Sequence, residues 1–403
     1  MPYTGEGSNP FGIRSFLERL DEKVLEHLHH LTERLEELSG SLEEKDLIPL
    51  SGEDVPLVPV ALTVDGGEGL AFEDLPLFAI GLVRVAAVSA GGQIRFPTIE
   101  HVLSVPELLT TSSAEEGVGE GDFKEAARRA MEGLFKPPPE TPASEAMQTL
   151  AEATGISLDD LGTYYTKDIQ AFTEVLRSVL EWAYLVWSVE KVAKSPEFQN
   201  LHNLSSLQEI LFVRDGRLAQ TGVEKGFRKK LNEYFERNRL LLVGISKRSR
   251  LVAEGLTARV IARWLEDGKA KVGERFVLRV PDKLLEAAYH YERQWNADLE
   301  GSFVMGQRYV TKLLSETFRP SESVVVFDLP AYLGDAEVRR VGVTLHRYRS
   351  ALFSGSVGLL LDAHARASVR NSLSESLQEE ILDRYRKKLG EEAWKRLRTW
   401  LRL

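Results

Sequence analysis

Apolar residues recur every three or four positions near the start of the chain, at Leu17, Leu20, Val24, Leu28, Leu31, Leu35 and Leu38. That spacing predicts a helix over Phe16–Leu42 with one narrow apolar seam, the pattern of a helix that packs along a partner or dimerises. SGSL at 39–42 ends it. The pattern then changes to unbroken apolar runs. LVPVALTVDGGEG at 57–69 predicts a buried strand from Leu57 to Asp65, closed by a tight turn at Gly66, Gly67 and Gly69. Leu77–Val88 predicts its antiparallel partner, AGGQ at 90–93 a hairpin, and Gln93–Phe96 and Ile99–Leu103 two shorter strands. Residues 110–160 lose this order. TTSSAEEGVGEGD and KPPPETPAS read as linkers around a short helix, Phe123–Leu134, and the stretch as a flexible insertion.

Helical periodicity returns over Thr166–Val192. Leu180–Val189 is apolar on more than one side, which predicts burial, yet Glu181 sits inside it; Glu174 and Glu190 lie nearer the ends. A strand over Ser206–Arg214 runs into Asp215-Gly216, a helix covers Val223–Arg237, and a strand over Leu240–Ser246 leads to Lys247. Beyond it the pattern predicts helices at Arg250–Glu266 and Pro281–Ala288. Strands are predicted at Arg275–Val280, Ser302–Val304, Val324–Leu329 and Val341–Leu345. Gly355–Val369 reads as an apolar helix carrying Asp362 and His364. The tail, 381–403, has 8 bases and 3 acids and reads as a basic amphipathic helix with Trp394 and Trp400. No repeat of fixed period runs through the chain.

Composition narrows the class. The 403 residues are 43% hydrophobic and 28% charged, ordinary for a globular protein, and hold no cysteine. Disulfides, thiolate metal sites and cysteine nucleophiles are therefore excluded. The apolar runs are too short or too charged to cross a bilayer, and MPYTGEGSNP lacks the basic start and apolar core of a signal peptide. A cytoplasmic protein with no membrane partner is expected. The net charge of −10 conceals an asymmetry: 13 acids and 5 bases in 1–55, 17 and 6 in 56–160, hence +9 over 161–403. Residues 221–250 alone hold 9 bases, Arg228, Lys229, Lys230, Lys247, Arg248 and Arg250 among them. Arg339, Arg340, Arg347, Arg349 and Arg366 follow, with Phe227, Tyr234 and Tyr348 as candidates for stacking on unpaired bases. A basic rear half of this kind points to nucleic acid.

An aspartate ending a buried strand needs a partner for its charge. Alone, Asp65 before Gly66 reads as a turn former. The order of the later elements changes that: a strand with Asp65, further strands, a long helix with Glu181, a strand ending at Asp215, a strand before Lys247, and a late helix with His364. This is the order of acidic ligands in a ribonuclease H-like fold, a mixed α/β sheet flanked by helices, whose ligands meet at one end of the sheet around divalent cations. His27, His29 and His30 lie on the first helix, where adjacent positions cannot share a face, and read as solvated.

VDGGEG, LFVRDGRL, LLVGISKRS and LLLDAHARA together resemble the NurA nucleases, which work with the hexameric HerA translocase; the resemblance spans about 57–370 plus the N-terminal helix. It implies that Asp65 is the first catalytic aspartate and Asp215 the aspartate of the second Asp-Gly motif. It also implies a functional lysine at Lys247 and a metal-binding histidine at His364. The helical glutamate is Glu181 or Glu190, with Glu181, preceded by Leu180 and Arg177, the better fit. Where the family has a Tyr-Pro shortly before the histidine, this chain has SGSVG, which leaves Tyr348 as a substitute. The implied layout is an N-terminal helical dimerisation or partner region at 1–50, a nuclease domain at 51–375 with the insertion at about 110–160, and a basic C-terminal helix at 376–403.

The implied chemistry is phosphodiester hydrolysis. Two hard cations, about 3.5–4 Å apart, activate water and hold the leaving oxygen. Carboxylates supply oxygen ligands, an imidazole favours Mn²⁺ over Mg²⁺, and Lys247 suits a phosphate clamp. The resemblance implies 5′-to-3′ exonuclease and single-strand endonuclease action on DNA during end resection, by a homodimer fed by a HerA-type ATPase. The SGSVG departure keeps a second expectation open, a non-catalytic module that clamps DNA and docks the translocase.

Overall fold

The computed structural model describes residues 13–50, 55–72, 79–90, 96–104, 120–161, 169–218, 225–246, 255–264, 275–288, 306–313, 324–350, 357–369 and 371–401. In chain order the helices are α1 (Ile13–Ser39), α2 (Glu120–Phe135), α3 (Pro142–Thr154), α4 (Ile169–Trp187), α5 (Pro196–Leu201) and α6 (Lys225–Arg237). They continue with α7 (Gly255–Trp264), α8 (Asp282–Ala288), α9 (Asp335–Arg347), α10 (Gly358–Ala367), α11 (Asn371–Leu389) and α12 (Glu391–Leu401). The strands are β1 (Leu47–Pro49), β2 (Val60–Ala71), β3 (Ile80–Ala90), β4 (Ile99–Ser104), β5 (Ile210–Asp215), β6 (Leu241–Ser246), β7 (Phe276–Arg279), β8 (Gln307–Lys312) and β9 (Val324–Leu329).

All nine strands form one sheet in the order β1-β7-β8-β9-β6-β5-β2-β3-β4. One half, β4-β3-β2-β5-β6, has an antiparallel meander on one side of β2 and two strands parallel to it on the other. That is the ribonuclease H-like arrangement expected from the sequence. The strands β9, β8, β7 and β1 extend it by antiparallel pairing from β6.

Strand alternation divides the core. Val60, Leu62 and Val64 of β2, with Ile210 and Phe212 of β5, face a core shared with α2, α3, α4 and α6. Ala61, Leu211, Val213, Val243 and Ile245 face the opposite core, closed by Val338, Val341 and Leu345 of α9 and by Leu359 and Leu360 of α10. The end of α1 docks through Leu38 onto Val260, Trp264 and Leu284. Ahead of it Val24, Leu25 and Leu28 stay exposed. His29 and His30 lie at the surface beside Glu33, solvated as expected.

Four sequence expectations change. First, Gly66, Gly67 and Gly69 form no turn: β2 runs through them to Ala71, paired with β3 throughout. The glycines are needed for close approach. A Cβ at Gly66 would lie 2.6 Å from Glu181 Oε1, and one at Gly67 would lie 2.3 Å from the Ala367 carbonyl oxygen. Second, PASEAMQTLAEAT, partly read as linker, is helix α3, capped by Thr141 and burying Ala143, Ala146, Met147 and Leu150. Third, Val341–Leu345 is helical: Val338, Val341 and Leu345 repeat at three and four residues, and Gly334 N–H donates to Glu337 at the helix start. Fourth, QRYVTK forms strand β8, which the sequence reading missed. Residues 93–95, most of the predicted strand ending at Phe96, lie outside the described residues, as does 302–304.

Candidate metal centre at the end of the central strands

Strands β2 and β5 are parallel with Val64 opposite Arg214, so Asp65 and Asp215 follow side by side. By alternation both carboxylates project to the face covered by α10. There His364 joins them, its Nδ1 3.0 Å from Asp65 Oδ2. One ligand atom each from Asp65, Asp215 and His364 lies within 4.8 Å of the others. Asp65 is buried, Asp215 half-buried, and the His364 ring 55% exposed. Against a carboxylate, Nδ1 is the donor, which leaves the Nε2 lone pair as the ring's acceptor. Two carboxylates and an imidazole at this separation fit a hard or borderline divalent cation such as Mg²⁺ or Mn²⁺.

The glycine run holds this arrangement together. Because Gly67 has no side chain, the C-terminal end of α10 lies directly on β2, with Ala367 against Gly67 and Val369 against Gly69. His364 is one turn upstream, and its carbonyl accepts the Ser368 N–H at 2.8 Å.

Glu181 approaches from the other face of the sheet, on α4. It lies outside the set of three, but close enough to Asp65 and Asp215 for their charges to act on it. Burial pushes its carboxyl up to about 7; Arg214 and Arg177 oppose that rise, and Asp65 and Asp215 add to it. Arg214 Nη2 donates to Glu181 Oε2 at 2.6 Å and to Ser178 Oγ at 3.2 Å. Its guanidinium carbon lies 4.8 Å from the centre of the Trp182 ring. Arg177 pairs with Glu68 at 2.8 Å and approaches Glu181 at 3.9 Å. Burial also raises the Glu68 carboxyl, against the Arg177 charge. Glu190, the other candidate, accepts from Tyr234 and pairs with Lys194, both at 2.7 Å, in the π-helical turn after α4.

Two signals in the sequence point to these charges around Glu181. Arg177 and Glu181 are four residues apart on a helix, the spacing of an ion pair. Arg214 precedes Asp215 in a strand, so one faces α10 and the other faces Glu181.

Lys247 lies outside the described residues, as do Arg248 and Arg250. The stacking aromatics are a correction: Phe227 and Tyr234 are buried in the core, and Tyr348 packs against the α9 side of the sheet. Lys230 is held by Asp160 and by the Gly155 carbonyl. Lys229, Arg347, Arg349 and Arg366 are exposed. Among the described residues no helix is long and apolar enough to cross a membrane.

No protein-family model matches the chain, and no curated protein matches it. Solved structures do. The crystal structure of the NurA nuclease from Sulfolobus solfataricus is similar at a TM-score of 0.41 and 12% identity, over 93% of this chain and 98% of that one. A second NurA crystal structure is similar at 0.36 and 12%, over 94% and 99%. A NurA crystal structure with manganese is similar at 0.32 and 12%, over 94% and 99%.

Proposed function

We propose that this protein is a divalent-cation-dependent DNA nuclease whose centre is built by Asp65, Asp215 and His364, with Glu181 and Lys247 completing it. The observation that supports it best is the convergence of two strand-borne aspartates and one helix-borne histidine, from three distant parts of the chain, on one point. Asp65, Asp215 and His364 would hold the ion or ions, Mn²⁺ or Mg²⁺ and two by expectation. Bound there, such ions supply an activated water and neutralise charge on the attacking and leaving oxygens.

The chain's own groups do the rest. His364 donates an Nδ1–H hydrogen bond to Asp65, which fixes the imidazole beside that carboxylate. Arg214 keeps Glu181 in place beside Gly66. Lys247 follows directly on β6 and acts as a point charge on the scissile phosphate. Exposed Lys229, Arg347, Arg349 and Arg366 contribute to holding the DNA backbone.

The substrate is single- and double-stranded DNA, cut by 5′-to-3′ exonuclease and single-strand endonuclease action in end resection. A hexameric ATPase of the HerA type supplies the movement, and two copies make the working unit in the cytoplasm. Exposed Val24, Leu25 and Leu28 on α1 are consistent with a partner along residues 1–50. The engagement of Glu181 by Arg214 favours one alternative, a clamp that binds DNA without cutting it.

Labelled single-stranded DNA incubated with Mn²⁺, and then with EDTA, tests both. Cleavage that EDTA stops and that Asp65→Ala or Asp215→Ala abolishes, with the variants still folded, supports the nuclease. Binding without cleavage supports the clamp, and wild-type cleavage by both variants rejects the centre.

A further inference from the structure

Arg308 and Asp328 belong to β8 and β9, outside the five-strand half that carries the centre, and face each other in register. Both are buried. Arg308 Nε and Nη2 donate to Asp328 Oδ1 and Oδ2 at 2.6 and 2.9 Å, a planar two-bond fork. Buried pairs of this kind stabilise a fold poorly compared with apolar residues of the same volume. A further bond gives this one another role: Asp328 Oδ2 also accepts the backbone N–H of Leu218 at 3.1 Å.

Leu218 is the third residue after Asp215, so this bond fixes where the chain goes once β5 ends. The bend between them is held at two further points. Gly216, at φ +100°, donates its N–H to the Ile245 carbonyl at 2.7 Å, and Arg214 Nη1 donates to the Arg217 carbonyl at 2.5 Å. Gly244, opposite Asp328 on β6, leaves room for the bend: a Cβ there would lie 2.7 Å from the Gly216 carbonyl oxygen.

We propose that Asp328, oriented by Arg308, is a positioning residue for Asp215: it latches the 216–218 bend onto β9 and so sets the carboxylate of Asp215 against Asp65 and His364. The two-bond fork from Arg308 fixes the Asp328 carboxylate in place, and the Leu218 N–H bonds to it there. The inference rests on the reading of Asp215 as a cation ligand.

The test uses the full chain, free of DNA, in two variants: Asp328→Asn, and Arg308→Met with Asp328→Leu, which removes both buried charges together. Amide hydrogen exchange reads the latch, and titration with Mn²⁺ followed by paramagnetic resonance reads the centre, with Asp65→Ala as reference. The expected result is exchange at Leu218 at least about 10-fold faster, unchanged exchange along β2 and β6, and Mn²⁺ affinity about 10-fold weaker. Unchanged exchange at Leu218 overturns the proposal. So does faster exchange with wild-type Mn²⁺ affinity in both variants. If the wild-type protein itself binds no Mn²⁺, the cation reading of Asp215 fails, and with it the positioning role; the exchange arm then still decides whether Asp328 holds the bend.

Discussion

His364 Nδ1 lies 3.0 Å from Asp65 Oδ2 across 299 positions of sequence. The contact is lopsided: the aspartate is buried at 4% exposure while the histidine ring is 55% exposed. Removing the ring therefore leaves the core intact and takes away one donor of the cluster. His364→Ala takes a hydrogen bond from the buried Asp65 carboxylate and is expected to cost the metal-free protein about 1–3 kcal/mol in urea unfolding. Mn²⁺ affinity, read by calorimetric titration, is expected to fall about 10- to 100-fold. Equal affinities in the two proteins would remove His364 from the centre.

Gly67 offers a test of how the centre is carried by the backbone. A methyl group there would meet the Ala367 carbonyl oxygen at 2.3 Å and the Ser368 Cα at 3.2 Å, both main chain, so the end of α10 must move away. Gly67→Ala is expected to cost about 1–3 kcal/mol in urea unfolding and to weaken Mn²⁺ binding with it. Gly133 is the control. It is exposed on α2 with nothing within 4 Å of an added Cβ. Gly133→Ala is expected to raise stability by about 0.4–1 kcal/mol without touching the centre.

The same glycines show what sequence patterns convey. The apolar runs ending at Asp65, Asp215 and Ser246 were legible as buried strands because burial on both faces demands unbroken apolar character. The run GGEG was misread as a turn, because glycine marks turns and close approaches alike, and here Glu181 and Ala367 arrive from elements more than 100 positions later. Glu181 was legible as a misplaced charge in an apolar helix. Strand alternation places Arg214 on the side of β5 away from Asp215, but which acid it meets there depends on how α4 lies on the sheet. Tyr234 and Phe227 sit among lysines and arginines in sequence but on the inner face of α6, where Tyr234 donates to Glu190. VGVTL by itself suggests a strand, and its helical spacing shows only when Val338 is counted in.

His346 gives the pH dependence. It is buried on α9, its Nε2 3.0 Å from Thr311 Oγ1, whose hydroxyl donates to the Phe276 carbonyl. Burial, with Arg275 and Arg349 nearby, lowers its pKa to about 4. Unfolded, the ring titrates near 6.5. Between these values the unfolded chain binds the proton and the folded one does not, so the full stability present above about pH 6.5 is lost as pH falls towards 4. The 2.5-unit interval corresponds to about 3 kcal/mol. His346→Gln removes this proton and keeps a donor for Thr311. Urea unfolding at pH 7 and pH 4.5 is expected to show a smaller acid loss in the variant than in the wild type. Equal losses in both would place the acid sensitivity elsewhere.

The Arg214–Glu181 pair separates stability from activity. Arg214→Met strands a carboxylate that is already pushed up to about 7 by burial, and leaves its two oxygens with Arg177 as the remaining cation. Breaking a buried pair from one side costs about 3–5 kcal/mol, whereas replacing both partners by apolar groups of similar size is often neutral. Arg214→Met alone is therefore expected to lower stability by that amount in urea unfolding. Arg214→Met with Glu181→Leu is expected to recover most of it, because no buried charge is then left unmatched. Cleavage is expected to stay lost in both, since the double variant restores packing but not the carboxylate beside Asp65. Recovery of cleavage together with stability would mean that Glu181 holds the sheet to α4 and takes no part at the centre.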